Sequence, residues 1–275
     1  MIGRSMLADL LPGRHRLTCP ECGKRPTDKT LGVDIDHERA VFHCFRCGTA
    51  GAYRHERVIV THAPRPVARA PQRHEMLSDY GRELWRSTRA LSGTALAYLK
   101  HRYCRNPLPG SHLRWIPDLK HPSGHVGPAL VALVTDARTR EPLTLHRTWI
   151  TATGKAAVDP PRLLLGGHRK HGGVIRLWPD DEVTLGLGIA EGIETALTLA
   201  WAHAPTWACI DAGNLSSFPV LEGIESLVIA ADHDPAGLTA AEACANRWYR
   251  AGRDCVVWVP RSLRADINEV VTNAA

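Results

Sequence analysis

The sequence lacks long apolar runs, internal repeats and any leader-like start. No stretch reaches the roughly 20 consecutive apolar residues a membrane span requires, so no membrane association is expected. Residues 1–12 carry Asp9 inside a short apolar stretch and show no small-residue cleavage pattern. A secretory leader is therefore not expected, and the expected location is the cytoplasm. The missing repeats argue against a solenoid or other repeat array. What remains is an ordinary globular composition, 44% apolar and 23% charged, over 275 residues. That length suits one large domain or two to three small ones.

Eight cysteines are present, and half of them stand in two pairs, Cys19-Pro-Glu-Cys22 and Cys44-Phe-Arg-Cys47. In a reducing compartment paired CxxC knuckles favour metal over cystine. The two knuckles are separated by 21 residues. Each CxxC turn presents two thiolates, and two such turns supply the four soft ligands of a tetrahedral zinc site. A redox CxxC is the competing reading, and two knuckles speak against it. Four thiolates leave no open position for water, so the zinc is expected to be structural. Arg14, Arg16, Lys24, Arg25, Lys29 and Arg46 surround the knuckles together with Phe42 and Phe45. Basic residues among aromatics suit the phosphates and stacked bases of a single strand, although the two phenylalanines could equally pack a small core. Cys209 and Cys255 lie in apolar runs and read as core residues.

The net charge of +6 is unevenly distributed. Residues 1–60 carry 10 basic and 7 acidic side chains, residues 61–180 carry 19 and 8, and residues 181–275 carry 5 and 13. A basic middle can hold a polyanion, and an acidic end can hold divalent cations. This profile and the chain's punctuation predict four segments. Residues 1–60 form a zinc-ribbon module for DNA binding. Residues 61–75, rich in Pro, Ala and Arg, form a linker. Residues 76–180 form a basic subdomain with two helices within 80–100 and a β-hairpin from 128–134 and 142–150. Residues 181–275 alternate strand and helix, with strands over 183–190, 206–210, 226–231 and 255–259 and helices over 193–203 and 235–251. That alternation predicts a parallel α/β sheet with helices on both faces.

Active groups of open α/β sheets gather at the carboxyl ends of strands. Glu191 directly follows the first strand of the last segment, and Asp232 and Asp234 follow the third, flanking His233. Asp266 comes later. Carboxylates grouped in this way suit Mg²⁺ or Mn²⁺ and phosphoryl transfer, which needs positioned phosphates and neutralised charge. Taken singly, Glu191 could be a helix-start carboxylate and Asp232 a turn residue.

With these residues in place, residues 181–272 resemble a Toprim domain. The matching features are a strand ending in Glu191-Gly192, a strand ending in Asp232-x-Asp234 followed by Gly237, and Asp266. With the zinc ribbon in front, the chain resembles DNA primases of the phage and plasmid type. The stretch from Leu145 to Lys155 and the box Glu191-Gly-Ile-Glu-Thr-Ala196 are similar to that group. The resemblance implies synthesis of short RNA primers on single-stranded DNA from nucleoside triphosphates, in the replication of a mobile element. Catalysis would rest on Glu191, Asp232, Asp234 and Asp266, with Mg²⁺ or Mn²⁺ at the first three. Zn²⁺ would sit at Cys19, Cys22, Cys44 and Cys47. Arg147, Lys155 and Arg162 would contact template and nucleotide, with Arg169, Lys170 and Arg176 as second choices. Replicative primases carry a further acid four residues after the glutamate. Here Thr195 holds that position and Glu194 stands one residue early, as a metal ligand or a helix-surface residue. Asn268 stands where a second aspartate is common. Asp211 also follows a strand and could line the pocket, but reads better as a turn residue. No GxxxxGK[ST] loop is present, so any helicase would be a separate partner. The competing classes are a non-catalytic zinc/Toprim recombination mediator and a Toprim nuclease.

Overall fold

The computed structural model describes residues 4–7, 10–23, 25, 28–36, 39–54 and 74–274. Most of the expected linker, residues 61–73, and Lys24 lie outside the described residues. The chain divides into two compact units: Met1–Arg69 with Asp234–Ala236, and Ala70–His233 with Gly237–Ala275.

The first unit opens on the short helix α1 (Arg4–Leu7) and is otherwise an antiparallel sheet. Its strands β1 (Gly13–Leu17), β2 (Leu31–Ile35), β3 (Arg39–Cys44) and β4 (Ala50–Arg54) lie in that order. Alternation sets its core. Leu31, Val33 and Ile35 point inward from β2, and Ala40, Phe42 and Cys44 point inward from β3. Period-2 burial of this kind leaves the other face to solvent.

The second unit begins with helices α2 (Asp79–Arg86) and α3 (Thr94–His101). Ser78 caps α2, its hydroxyl accepting from the Gly81 amide at 3.3 Å, which satisfies one of the donors a helix start leaves open. Then come β5 (Leu113–Lys120), β6 (Val126–Asp136), β7 (Pro142–Thr151), β8 (Gly154–Lys155), β9 (Arg162–Leu164) and β10 (Gly173–Arg176). Strands β6 and β7 are the hairpin expected from the sequence, and β6 also pairs with β5 and β10. Residues 129–135 of β6 are buried without interruption, as a strand covered on both faces requires.

The C-terminal half alternates β11 (Gly186–Ala190), α4 (Ile193–Leu199), β12 (Thr206–Ala208), α5 (Ala212–Ser217), β13 (Ser226–Ala230), α6 (Pro235–Arg250), β14 (Asp254–Trp258) and α7 (Ile267–Ala274). Strands β14, β13, β11 and β12 are parallel neighbours. Helices cover both faces. Ile193, Ala196 and Leu197 of α4 pack on one side with Tyr98 and Leu99 of α3. Leu215 of α5 and Ala240, Ala241, Cys244 and Trp248 of α6 pack on the other.

The sheet is larger than the sequence suggests. β12 pairs antiparallel with β10, and β10 with β6, so the parallel strands continue into the basic subdomain as one ten-stranded mixed sheet. The link is the four-residue strand β10, whose partners lie 37 residues upstream and 33 downstream in register (Gly173 with Asp136, Ile175 with Ala208). A strand so short carries no periodicity of its own to announce it.

Candidate active site and metal centre

Two CxxC turns build the metal centre. Cys19 and Cys22 follow β1, Cys44 ends β3, and Cys47 sits in the turn before β4. All four sulfurs lie within 4.8 Å of one another, with Cys19 3.8 Å from Cys47 and Cys22 3.5 Å from Cys44. A tetrahedron with Zn–S bonds of ~2.3 Å has edges of about 3.8 Å, so the donor set fits zinc in both chemistry and size. Each knuckle closes on a glycine, a signal the spacing argument passed over. A Cβ on Gly23 would stand 2.5 Å from the Cys19 carbonyl oxygen, and Gly48 has φ +73°. Burial and the neighbouring sulfurs push the Cys22 thiol up to about 12. Burial also opposes ionisation of Cys44, but the Cys47 and Arg46 amides hold it near 6. A cation at the centre would supply the charge that lets all four shed their protons. Arg46 braces the knuckle, pairing with Asp28 and donating to the Cys22 carbonyl at 3.3 Å.

The two phenylalanines have different surroundings. Phe42 is 8% exposed and packs against Tyr53, whereas Phe45 is 58% exposed. The Arg16 guanidinium lies 4.2 Å above the Phe45 ring, and His43 meets its edge at 4.9 Å. With Arg14, His15 and Val41 they line a shallow cavity of about 360 Å³ on the sheet face.

In the second unit, register aligns the acidic strand ends. β11 and β13 are adjacent and parallel, with Ala190 opposite Ala230. Glu191 is therefore level with Ala231, one residue short of Asp232, on strands about 4.8 Å apart. Gly237 permits the turn after β13: a Cβ there would lie 2.5 Å from the Asp232 carbonyl oxygen. His233 ties this turn to the segment before α7. Its amide donates to Ala265 O at 2.9 Å, its carbonyl accepts from Arg264 N at 2.8 Å, and Nδ1 contacts Pro260 O at 2.7 Å. Asp266 caps α7, accepting from the Glu269 amide at 2.8 Å. Its spacing to Glu269 is that of a capping box, a sequence signal for that helix. Asp234 follows Asp232 by two residues and groups with the first unit. Among the described residues, the four cysteines are the one group of three or more candidate ligands gathered around a common point.

Two other polar residues turn inward. Asn268 is fully buried and donates to Thr198 Oγ1 at 2.8 Å and to the Arg102 carbonyl. It fastens α7 to α4 and to the end of α3. Glu194, in the first turn of α4, is 6% exposed, not on the helix surface. The Tyr98 hydroxyl donates to its Oε1 at 2.6 Å, and Lys155 Nζ stands 3.8 Å from the same oxygen. Burial works against its charge, but Lys155, Arg162 and Tyr98 hold Glu194 at about 2. Asp211 caps α5 through the Asn214 amide at 2.9 Å and pairs with Lys170 at 2.7 Å; the sequence read this segment as a turn.

The basic candidates separate by face. Lys155 is opposite Ile150, and Arg162 is opposite Thr148. Residues paired across antiparallel strands share a face, so both lie on the face of β7 that carries His146, Thr148 and Ile150. Arg147 lies on the opposite face, 5.5 Å from the Trp149 ring, donating to the Leu164 carbonyl at 3.1 Å. Arg176 is 3% exposed and serves the interior, held by Asp180, Thr135 and the Ala137 carbonyl. Arg169 pairs with Asp136 at 3.1 Å.

Residues 75–177 match the family described as Domain of unknown function (DUF7146). No curated protein matches the chain. Among solved structures it is similar to the primase fragment of the bacteriophage T7 primase-helicase protein, at 15% identity and TM-score 0.43, covering 95% of each chain. It is also similar to the Aquifex aeolicus primase, zinc-binding and RNA polymerase domains, at 12% identity and TM-score 0.43, covering 96% of this chain and 77% of that one. No helix of the described residues is long and apolar enough to cross a membrane. Residues 186–274, which carry the acidic strand ends, match the Toprim domain family, and this part of the chain is a Toprim domain.

Proposed function

We propose that the chain is a DNA primase, joining ribonucleotides into short primers on a single-stranded DNA template during replication of a phage, plasmid or other mobile element. The observation that supports this reading is the register of β11 with β13, adjacent parallel strands whose ends lead into Glu191 and Asp232 within the residues that match the Toprim domain family. The four-cysteine knuckle in the same chain supports it.

Carboxylates of this kind are hard oxygen donors that suit Mg²⁺ or Mn²⁺. Glu191 and Asp232, with Asp234 on its sequence spacing, would hold the ion, which when bound supplies charge neutralisation to the reacting phosphates. Glu191 either shares that ion or takes the proton of the attacking 3′-hydroxyl. Asp266 acts on the same turn through its helix cap and the loop that His233 anchors. Lys155 and Arg162, on one face of the sheet, hold nucleotide phosphates. The zinc module engages the template, with Arg16 and Phe45 offering charge and a stacking surface. A replicative helicase acts as a separate partner.

Primer synthesis from scratch tests this. Purified zinc-loaded protein is mixed with single-stranded DNA, labelled ribonucleoside triphosphates and Mg²⁺ or Mn²⁺, beside an Asp232→Ala variant. Short products that vanish in the variant support the reading. Template bound but neither copied nor cut points to a recombination mediator, and template degraded in a metal-dependent way points to a nuclease.

A further inference from the structure

Apart from the half-buried strand-end acids, the second unit holds a buried carboxylate among cations, Glu194, and the reading above gives it no task. Resting on that reading, we infer that Glu194 is a positioning residue that holds the Lys155 ammonium in place to receive the phosphates of an incoming nucleoside triphosphate.

The arrangement is asymmetric. The Glu194 side chain is 8% exposed, while that of Lys155 is 29% exposed. The carboxylate is thus sealed in and the ammonium reaches the surface. At 3.8 Å the contact is an ion pair longer than a hydrogen bond. An ammonium offers three donors in a compact point charge, so this contact leaves its protons open to phosphate oxygens. Tyr98 donates to the same Glu194 oxygen from α3, fully buried itself, and fixes the carboxylate from behind. Two other segments, α3 and the two-residue strand β8, therefore converge on one oxygen of α4.

Position along the chain gives the arrangement its meaning. Glu194 lies three residues after Glu191, in the first turn of the helix that β11 feeds. Lys155 is thereby anchored to a residue three positions after Glu191, which stands at the end of β11. Glu194, Lys155 and Arg162 together carry one net positive charge, and Glu191 carries a negative one three residues before Glu194. A nucleotide triphosphate needs both: cationic side chains for its outer phosphates and carboxylates for the accompanying ion. A Glu194 whose only task was to bind metal would present its oxygens to the strand ends. Instead Oε1 is spent on Tyr98 and Lys155.

The test measures binding of a fluorescent ribonucleoside triphosphate to the full zinc-loaded chain, without divalent ion other than zinc, with single-stranded DNA binding and thermal unfolding in parallel. Lys155→Ala is expected to weaken triphosphate binding about tenfold, and Glu194→Gln roughly fivefold. The double variant is expected to match Lys155→Ala alone, because Glu194 acts through the lysine. Tyr98→Phe keeps the carboxylate and should weaken binding about twofold. It remains decisive should Glu194→Gln fail to fold. DNA affinity is expected to hold in Glu194→Gln and Tyr98→Phe. Additive losses in the double variant, or unchanged triphosphate affinity in folded Glu194→Gln and Tyr98→Phe, overturn the inference. So does a Glu194→Gln protein whose altered property is its Mn²⁺ affinity, which would make Glu194 a metal ligand, or one that loses DNA binding instead. Failure of the parent protein to bind triphosphate removes the primase reading and this inference together. Triphosphate binding that Glu194 does not influence removes the inference alone.

Discussion

The four-cysteine knuckle, which fits zinc, and the acidic strand ends, which we propose hold Mg²⁺ or Mn²⁺, would be two solutions to holding a cation. In the knuckle, four thiolates from two tight turns already point at one centre, with sulfurs 3.5 and 3.8 Å apart. At the strand ends, Glu191 and Asp232 come from neighbouring strands, while Asp266 caps a helix. The first is closed and complete within 29 residues of chain. The second would be open and would draw on residues spread from 191 to 266. A closed site stores folding energy, and an open one leaves room for substrate. The same contrast governs what each region loses when disturbed.

The largest effect is expected at the knuckle. The core of the first unit is small, and structural zinc in such modules is worth on the order of 10 kcal/mol. Removal of zinc by a chelator, or Cys44→Ser, should unfold the first unit's sheet. All eight tryptophans lie between residues 85 and 258, so tryptophan fluorescence reports on the second unit. The expected result is an unchanged fluorescence melting curve with loss of β-sheet signal and of DNA binding. A fluorescence transition that falls with the zinc would show that the two units fold as one.

Next comes the open site. Asp232→Ala and Glu191→Gln should each lower primer synthesis by roughly a hundredfold or more, since a reaction that depends on ion-held phosphates has little else to draw on. Folding should be little affected, so melting temperature and activity must separate. If both fall together, the carboxylates are structural and the comparison between closed and open sites fails.

A third expectation concerns pH. Burial pushes the imidazoles of His112 and His146 down to about 4. In the unfolded chain each takes up a proton near pH 6.5. Between those values the unfolded state binds more protons than the folded one. Stability is therefore full above pH 6.5 and declines as the pH falls toward 4, by on the order of 3 kcal/mol for each histidine. Urea titrations monitored by tryptophan fluorescence at pH 7 and pH 4.5 measure the decline, and His112→Asn should make it shallower. A flat profile would show that both rings accept protons in the folded unit.

The closed site was legible in the sequence and the open one only in part. Two CxxC pairs fix four ligands by local spacing, with no need to know the fold. Strand-end acids can be found because apolar runs mark the strands, and β11, β12, β13 and β14 stand within a few residues of their expected bounds. What stayed hidden depends on long-range pairing. Nothing near Glu194 announces that Tyr98 and Lys155 surround it, 96 residues upstream in one case. By resemblance Asn268 stands where a second aspartate is common, and its amide is used to pin α7 onto α4. Arg147 looked equivalent to Lys155 and Arg162, but a one-residue difference in strand parity puts it on the other face.

The smallest effect returns to the first unit and separates two residues that sequence treats alike. Phe42 and Phe45 are three positions apart and both stand among basic residues. Phe42 fills the core beside Tyr53, so Phe42→Ala should destabilise the unit by about 3 kcal/mol or more and disturb DNA binding only through unfolding. Phe45 is 58% exposed, with Arg16 stacked on its ring. Phe45→Ala leaves no cavity and should not change zinc retention. It removes a surface on which one base can stack, worth ~1–3 kcal/mol, so single-stranded DNA affinity should fall about tenfold. Because stacking tolerates any base, the loss should be similar on templates of different sequence, and Phe45→Trp should recover it. Arg16→Ala should weaken binding by less, and its loss should shrink as salt is raised, since its contribution is to phosphate charge. If Phe45→Ala binds DNA like the parent, the open face of the ribbon is not where the strand lies, and the zinc module's closed site would then support a surface other than this one.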